Sequence, residues 1–364
     1  MSDIGIYIHV PFCGKKCGYC DFYSQKYSRD GADAYVQAVL RNIDHYGASG
    51  TDVDTIYFGG GTPSLLSPEQ LMLIIERIRS RFRVNENCEI TLEANPSGLF
   101  PEKLRKLRET GINRLSLGVQ SMVDSELRFL GRNHSSDRAE RAVLDAAGAG
   151  FENISCDLML AIPEQTTASL EASAERLARL PITHISAYIL KIEAGTPFDC
   201  SEIRSAVPDD ETSADFYLHM VSVLESLGFR QYEVSNFAVS GYESRHNCRY
   251  WNCRDYIGIG PSAHSCFGGK RFAAESSLDE FIRSEIQPIY VTDEAPCGFE
   301  EYAMLRLRLR EGLDLRNIGE KRTYIEKKLQ PLISSGYINF DGDVISLTPK
   351  GFLMSNSVIE HIIF

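Results

Sequence analysis

The chain has 364 residues, 43% hydrophobic and 24% charged, which suits a globular protein of about two domains. Its 38 Lys and Arg against 50 Asp and Glu give a formal net charge of −12, which argues against broad electrostatic binding to nucleic acid or anionic lipid. No apolar run approaches the ~18 residues of a transmembrane helix, and the first residues do not resemble a signal peptide, so we expect a cytoplasmic protein.

Six short segments in the first two-thirds of the chain predict β-strands. They are rich in β-branched residues and are often followed by Gly, Pro or a polar residue. Stretches of helical period lie between them. One of these begins at Ser67-Pro68-Glu69-Gln70, which combines an N-cap, a proline at the first helical position and a capping-box glutamine. The predicted strands are 4–10, 55–58, 88–93, 114–119, 153–158 and 184–190.

Strand–helix units in series predict an α/β fold with a parallel sheet that right-handed crossovers curl towards a barrel. Six strands are fewer than the eight of a closed barrel. We therefore expect a partial (β/α)6 barrel over residues 1–240, with a wide mouth at the C-terminal ends of its strands. A doubly wound open sheet is the alternative, since periodicity alone does not separate the two.

The remainder of the chain predicts two further regions. Residues 241–299 lose the strand–helix pattern, are rich in Gly, Cys and aromatic residues, and are expected to connect two domains. Residues 300–364 predict helices followed by a hairpin whose turn is Asp341-Gly342. This module is winged-helix-like, but its acidic and basic residues balance too closely for a DNA-reading surface.

Three of the ten cysteines, Cys13, Cys17 and Cys20, lie within eight residues directly after the first predicted strand. Thiolates select soft ions, chiefly zinc or iron–sulfur clusters. Structural zinc prefers four protein ligands, and only His9 and Asp21 lie near enough in sequence to add one. We therefore favour a [4Fe–4S] cluster held by three cysteines, which leaves one iron open to a ligand from solution, over zinc.

The sequence Tyr7-Ile-His-Val-Pro-Phe-Cys13-x3-Cys17-x2-Cys20 resembles the radical S-adenosylmethionine (SAM) superfamily. Within it, the chain is similar over essentially its whole length to the branch that contains oxygen-independent coproporphyrinogen III oxidase and a related family of heme chaperones. The resemblance implies that the open iron binds the amino and carboxylate groups of SAM. It also implies that an electron from the cluster can cleave SAM to a 5′-deoxyadenosyl radical, which is chemistry of the cofactor.

Several polar and glycine positions match the SAM site of that superfamily. Taken singly, each is typical of a turn, a cap or a surface polar group, but most stand at or just after strand ends, where barrel sites gather. Glycines after the second strand permit close backbone approach, and a carboxylate at the end of the third could accept hydrogen bonds from ribose. The resemblance implies a SAM site formed by Tyr7, Tyr19, Gly60, Gly61, Thr62, Glu93, Gln120, Arg132 and Asp157.

Two departures from the oxidase pattern favour the heme chaperones. The oxidase resembles C-x3-C-x2-C-x-C, and Phe22 stands here at the fourth cysteine position. The oxidase also has a long segment ahead of the cluster, whereas six residues precede Tyr7 here. We therefore expect no coproporphyrinogen decarboxylation and assign no catalytic side chain.

A third motif, Arg245-His246-Asn247-Cys248-Arg249-Tyr250-Trp251, matches the H-N-x-x-Y-W signature of the heme chaperones. Imidazole is a common axial ligand of heme iron, so His246 is the candidate ligand, and Tyr250 and Trp251 could pack against the macrocycle. The alternative is that His246 donates a structural hydrogen bond and Trp251 fills the barrel mouth.

The function expected is that of a heme chaperone that binds a [4Fe–4S] cluster, SAM and heme. Its expected partners are an acceptor hemoprotein and an electron donor, with no nucleic acid. The alternatives are an oxygen-independent coproporphyrinogen III oxidase and a heme-degrading radical methyltransferase of the same superfamily.

Overall fold

The computed structural model describes residues 3–47 and 50–364. Its centre is a run of six parallel strands whose order in the sheet follows their order in the chain. This order confirms the predicted partial barrel and excludes a doubly wound sheet, in which strand order reverses at a switch point. The strands are Ile4–Val10 (β1), Asp52–Gly60 (β2), Arg83–Ala94 (β3), Arg114–Gln120 (β4), Asn153–Leu160 (β5) and His184–Ile189 (β6).

Helices connect the parallel strands. The helix after β2 begins where the sequence predicted, because the Ser67 hydroxyl accepts the Gln70 N–H while the Gln70 side chain accepts the Ser67 N–H. Within the described part of the chain, no helix combines the length and apolar character needed to cross a bilayer. The helices are Arg29–Tyr46 (α1), Pro68–Arg81 (α2), Pro101–Glu109 (α3), Asp124–Phe129 (α4), Ser136–Gly148 (α5), Thr167–Ala178 (α6), Ser201–Ala206 (α7), Asp210–Ser226 (α8), Arg245–Trp251 (α9), Leu278–Arg283 (α10), Phe299–Arg306 (α11), Lys321–Glu326 (α12), Leu329–Ser334 (α13), Pro349–Leu353 (α14) and Ser355–Ile363 (α15).

The two faces of the barrel strands differ in polarity. On β4, Leu115 and Leu117 are buried in the apolar core, whereas Ser116 and Gln120 line a cavity inside the barrel. This alternation follows from the period of two along a strand, which turns successive side chains to opposite faces. The interior of the barrel is therefore polar, and the strands bury their apolar side chains on the other face.

Residues 241–299, expected to form a connecting region, extend the sheet instead. The strand after α9 pairs in parallel with β1, and three antiparallel strands follow it outward. Two short strands extend the opposite edge beyond β6. The added strands are Arg230–Gln231 (β7), Asn236–Ala238 (β8), Tyr256–Ile259 (β9), His264–Phe267 (β10), Lys270–Ala274 (β11) and Ile289–Asp293 (β12). Within the described residues, the complete sheet has twelve strands in the order β12-β11-β10-β9-β1-β2-β3-β4-β5-β6-β8-β7.

Helix α9, which carries the H-N-x-x-Y-W motif, closes the N-terminal end of the barrel. Its residues contact the early part of β2 and β3: the His246 ring bonds to Thr55, and the backbone N–H groups of Arg245 and His246 donate to the Glu89 carboxylate at 3.2 and 3.1 Å. We call this closed end the floor, and the opposite end, where the cysteines lie, the mouth.

The C-terminal module contains α11 to α15 and a three-stranded sheet. The hairpin Ile338–Phe340 (β14) and Val344–Leu347 (β15) forms around the predicted turn, where Gly342 has a φ of +102° that favours glycine. The remaining strand, Leu313–Asp314 (β13), pairs with β15. Helices followed by a hairpin agree with the winged-helix-like expectation.

Candidate functional site

A cavity of about 540 Å³ runs through the barrel interior and opens at the mouth. The loop with the three cysteines forms part of its rim. Two short parallel strands, Phe12–Cys13 and Gln25–Lys26, fix the ends of this loop, and the Tyr27 N–H donates to the Cys13 carbonyl at 3.1 Å. The loop thereby places Cys13, Cys17 and Cys20 at the cavity.

The three thiols are free, half-buried and next to positive and hydroxyl groups. Arg132 Nη1 donates to Cys17 Sγ at 3.4 Å, and Cys13 Sγ lies 3.7 Å from Thr62 Oγ1. Burial, together with the neighbouring Cys13 and Cys17, raises the pKa of Cys20. Three soft donors at one rim are the ligand chemistry of an iron–sulfur cluster.

These thiols do not converge on a point. Among residues 3–47 and 50–364, no three His, Cys, Asp or Glu side chains are placed to hold one metal ion. A four-iron cube is ligated at separate corners, so its ligands need not meet at a single ion.

The two glycines at the end of β2, Gly60 and Gly61, are required by close packing against β1 and the start of the cysteine loop. A Cβ on Gly61 would lie 2.5 Å from the Phe12 carbonyl oxygen and 3.1 Å from Cys13 Sγ. Gly60 has a φ of +108°, and a Cβ there would meet the His9 ring. The Thr62 N–H donates to the Phe12 carbonyl at 2.7 Å. This segment therefore forms a cavity wall without side-chain bulk.

Two carboxyl groups line the cavity from the strands on either side of β4, Glu93 at the end of β3 and Asp157 in β5. Burial raises the pKa of Glu93 to about 7 although the Tyr57 hydroxyl donates to its Oε1 at 2.7 Å. Burial also raises the pKa of Asp157 to about 6, against hydrogen bonds from Ser186 and Tyr188. Both carboxyl groups are suited to hold hydroxyl donors such as those of a ribose.

Gln120 and Arg132 leave polar atoms without protein partners inside the site. Arg132 Nη2 donates to the Gly118 carbonyl at 2.6 Å, but its Nε and the Oε1 of Gln120 have no partner among the described residues. Gln120 also adopts a positive φ of 73°, an uncommon conformation for a residue other than glycine. Buried groups of this kind normally have a partner, so they indicate a ligand.

Of the nine residues expected at the SAM site, Tyr7 alone does not line the cavity. Its hydroxyl lies 3.1 Å from His9 Nδ1, and its ring packs behind Gly59. The other members contribute to the cavity wall; they are Tyr19, Gly60, Gly61, Thr62, Glu93, Gln120, Arg132 and Asp157.

The histidine of the H-N-x-x-Y-W motif is enclosed at the floor. His246 is 0% exposed, its Nδ1 lies 2.9 Å from the Thr55 hydroxyl, and its Nε2 lies 2.9 Å from the Tyr250 hydroxyl. Burial and the nearby Arg249 lower its pKa to about 3. Both ring nitrogens are thus engaged by the protein, so iron ligation by His246 stays a prediction that requires one of these two bonds to open. The adjacent Trp251 is half-buried and does not line the cavity.

Further polar residues that the sequence did not predict also line the cavity. They occupy alternate positions of β4 and β6, so a search for polar residues of period two on otherwise apolar strands would have found them. They include Arg114, Ser116, His184, Ser186 and Tyr188.

Comparison with known proteins agrees with this geometry. The sequence family Radical SAM superfamily matches residues 7–177, and the sequence family HemN C-terminal domain matches residues 299–354. The chain is 34% identical over 374 residues to the heme chaperone HemW of Escherichia coli (strain K12), which covers 99% of this chain and 98% of the relative. It is 40% identical over 396 residues to that of Synechocystis sp. (strain ATCC 27184 / PCC 6803 / Kazusa), which covers 99% and 96%.

A solved structure has the same fold. Coproporphyrinogen III oxidase (HemN) from Escherichia coli superposes with a TM-score of 0.83 over 99% of this chain and 90% of that chain, at 23% sequence identity. Superfamily membership implies a [4Fe–4S] cluster and SAM as cofactors, which agrees with the soft donors at the mouth. The chain therefore belongs to the radical SAM superfamily and, within its coproporphyrinogen III oxidase-like branch, to the family of the heme chaperone HemW.

Proposed function

We propose that this chain is a heme chaperone that binds heme and passes it to an acceptor hemoprotein. The observation that carries the proposal is its relationship, over nearly its whole length, to proteins named heme chaperone HemW. A cytoplasmic location and an electron donor for the cluster belong to the same proposal.

The cysteine loop is the proposed cluster site. Cys13, Cys17 and Cys20 would hold a [4Fe–4S] cluster, and Arg132 beside Cys17 would offset the negative charge of the thiolates. When bound, the cluster and SAM would supply one-electron chemistry. Three protein ligands, rather than four, keep one corner of such a cluster accessible to SAM.

The cavity wall is the proposed SAM site. Glu93 and Asp157 would accept hydrogen bonds from the ribose hydroxyls, and the Gly60–Gly61–Thr62 segment would offer backbone groups to the methionine end. The unpaired Gln120 Oε1 and Arg132 Nε supply a further acceptor and donor. Tyr19, whose hydroxyl lies 3.5 Å from Arg132 Nη1, would fix the orientation of that guanidinium.

Phe22 supports the chaperone over the oxidase. It stands where the oxidase pattern has a fourth cysteine, lies at the cavity mouth, and is 62% exposed. An exposed aromatic ring next to the cluster loop could contact a planar apolar molecule but could not replace a thiol.

Anaerobic reconstitution tests the proposal. Protein with cluster, SAM and reductant is supplied in parallel with heme and with coproporphyrinogen III. We expect stoichiometric heme binding, seen in the Soret band, and no protoporphyrinogen. Catalytic formation of protoporphyrinogen would instead identify an oxidase.

A cysteine variant tests the cluster ligands. Cys20→Ser should reduce the iron and sulfide content to near zero, whereas Cys200→Ser, which changes a thiol outside the cavity at the N-cap of α7, should retain both. A full complement of four irons per chain in Cys20→Ser would refute the three-cysteine site.

A further inference from the structure

Arg114, the first residue of β4, carries an unpaired guanidinium deep in the barrel. The residue is 2% exposed, yet it lines the cavity. Its buried Nε and Nη1 have no hydrogen-bond partner among the described residues. A buried charged group without partners is costly, so the guanidinium is expected to have a partner that the protein itself does not supply.

The neighbouring side chains do not supply a hydrogen-bond acceptor to the buried Nε and Nη1 of Arg114. Glu93 and Asp157 lie on the adjacent strands β3 and β5 and interact with its charge at a distance, but neither accepts a hydrogen bond from its Nε or Nη1. His184 on β6 has both ring nitrogens engaged, at 2.7 Å from the Ser155 hydroxyl and 2.9 Å from the Tyr232 hydroxyl. An acceptor that enters the cavity from outside the protein could therefore serve as the partner of Arg114.

The H-N-x-x-Y-W motif brings a second polar side chain to the same place. Asn247 lines the cavity from the floor, next in sequence to the enclosed His246. The Glu89 carboxylate and the Ser244 hydroxyl accept hydrogen bonds from the first turn of α9 and hold the helix in position. The motif residue that faces the cavity is thus the asparagine rather than the histidine.

We propose that Arg114 and Asn247 bind a carboxylate group of a ligand at the cavity floor, deeper than the residues proposed to hold SAM. A planar guanidinium matches a carboxylate with two parallel hydrogen bonds, and an amide N–H₂ adds a further donor. The inference deepens the proposed function and rests on it, because heme carries two propionate groups. A free small carboxylate has the same chemistry and is the other source.

Titration with heme and its ester distinguishes the sources. Hemin and hemin dimethyl ester are added to the cluster-loaded wild type, to Arg114→Met and to Arg114→Lys, and the Soret band is followed. Arg114→Met should weaken hemin binding about tenfold or more, since a charged hydrogen bond contributes about 1.5–3 kcal/mol. The dimethyl ester should bind with the same affinity to the wild type and to Arg114→Met. The hemin affinity of Arg114→Lys should lie between those of the wild type and Arg114→Met. Arg141→Met, an exposed arginine on α5, is the matched control.

Sodium propionate provides the second arm. If propionate raises the thermal midpoint of the wild type but not of Arg114→Met, while hemin and its ester bind alike to both, the site takes a free carboxylate. That result would hold even if the wild type bound no heme, in which case the proposed function fails and the carboxylate site stands. Equal hemin affinity in Arg114→Met without a propionate effect would overturn the inference. Equal weakening of hemin and ester would also overturn it, because it would show a structural role for Arg114.

Discussion

At the scale of single residues, the motif on α9 is held mainly by long-range contacts, that is, by residues far away in the sequence. The Arg249 guanidinium is buried against the Asp54 carboxylate, with Nε to Oδ1 at 2.8 Å, and its Nη1 also donates to the carbonyls of Asp3 and Asp255. A residue at a variable position of the motif thus joins the floor to β2 and to the chain before β1. Its contacts are all within the protein, and it does not line the cavity.

Removing this guanidinium should be strongly destabilising. Arg249→Met leaves Asp54 buried with only the half-exposed Arg245, whose Nη2 lies 3.7 Å from Asp54 Oδ2, and we expect a loss of up to about 3–5 kcal/mol in the free energy of unfolding. Urea denaturation of the variant measures the loss. The double variant Arg249→Met with Asp54→Asn should recover part of it, because no unpaired charge remains. A double variant no more stable than the single one would show that packing, not the stranded carboxylate, causes the loss.

Glu93 predicts a pH-dependent stability. Because its pKa is raised from 4.5 to about 7, chiefly by burial, the folded protein binds this proton more tightly than the unfolded chain. The resulting stability is present below about pH 4.5 and is lost as the pH rises through about 7. Glu93→Gln has no charge to bury, so at pH 8 it should exceed the wild type by roughly 2–3 kcal/mol in the free energy of unfolding.

Denaturant unfolding of the cluster-free protein at pH 5 and pH 8 checks this expectation. The advantage of Glu93→Gln should be much smaller at pH 5, and Glu109→Gln, at an exposed position on α3, should show no such difference. An advantage of equal size at both pH values would mean that the carboxylate charge is not responsible.

At the scale of elements, the barrel strands could be predicted from the sequence, whereas the added strands of the sheet and the floor helix α9 could not. The strand predicted over residues 4–10 has its observed bounds. Four predicted strands lie inside the observed ones, and the 184–190 prediction extends one residue past the end of β6. They could be predicted because short β-branched runs followed by turn residues are a local signal. Strands β9 to β12 were missed, since Gly- and Cys-rich segments have no clear period. The floor was also missed: α9 is fixed by Glu89, more than 150 residues earlier in the chain.

The attachment of α9 to β3 can be tested through Glu89. Its carboxylate accepts two backbone N–H groups from the first turn of the helix, donors that no residue within the helix can satisfy. Glu89→Ala should therefore cost about 2–3 kcal/mol in the free energy of unfolding, and Glu89→Gln, which keeps one acceptor oxygen, should cost less. Glu86→Ala, an exposed change on the same strand, is the control for urea denaturation. Equal losses in the alanine and glutamine variants would argue against capping.

At the scale of the whole molecule, the barrel and the C-terminal module share one core. The cluster of buried apolar residues is continuous from Ile4 in β1 to Ile363 in α15. Polar contacts join the same parts: the Arg310 N–H donates to the Tyr232 carbonyl at 2.9 Å, and Leu309 forms an isolated β-bridge with Glu233. A shared core couples the stability of the two parts, because neither can open without exposing apolar surface of the other.

This coupling predicts a single cooperative unfolding transition. Trp251, the only tryptophan, lies on the floor helix, so its fluorescence reports on the barrel floor, whereas far-UV circular dichroism reports on all helices and strands. The two probes should give coincident urea midpoints, the usual test of two-state behaviour. Trp251→Phe should abolish the fluorescence change while leaving a single transition in the circular dichroism, which verifies the assignment of the signal. A fluorescence midpoint separated from the dichroism midpoint would mean that the floor unfolds independently of the rest of the secondary structure, and would contradict the single transition expected from a shared core.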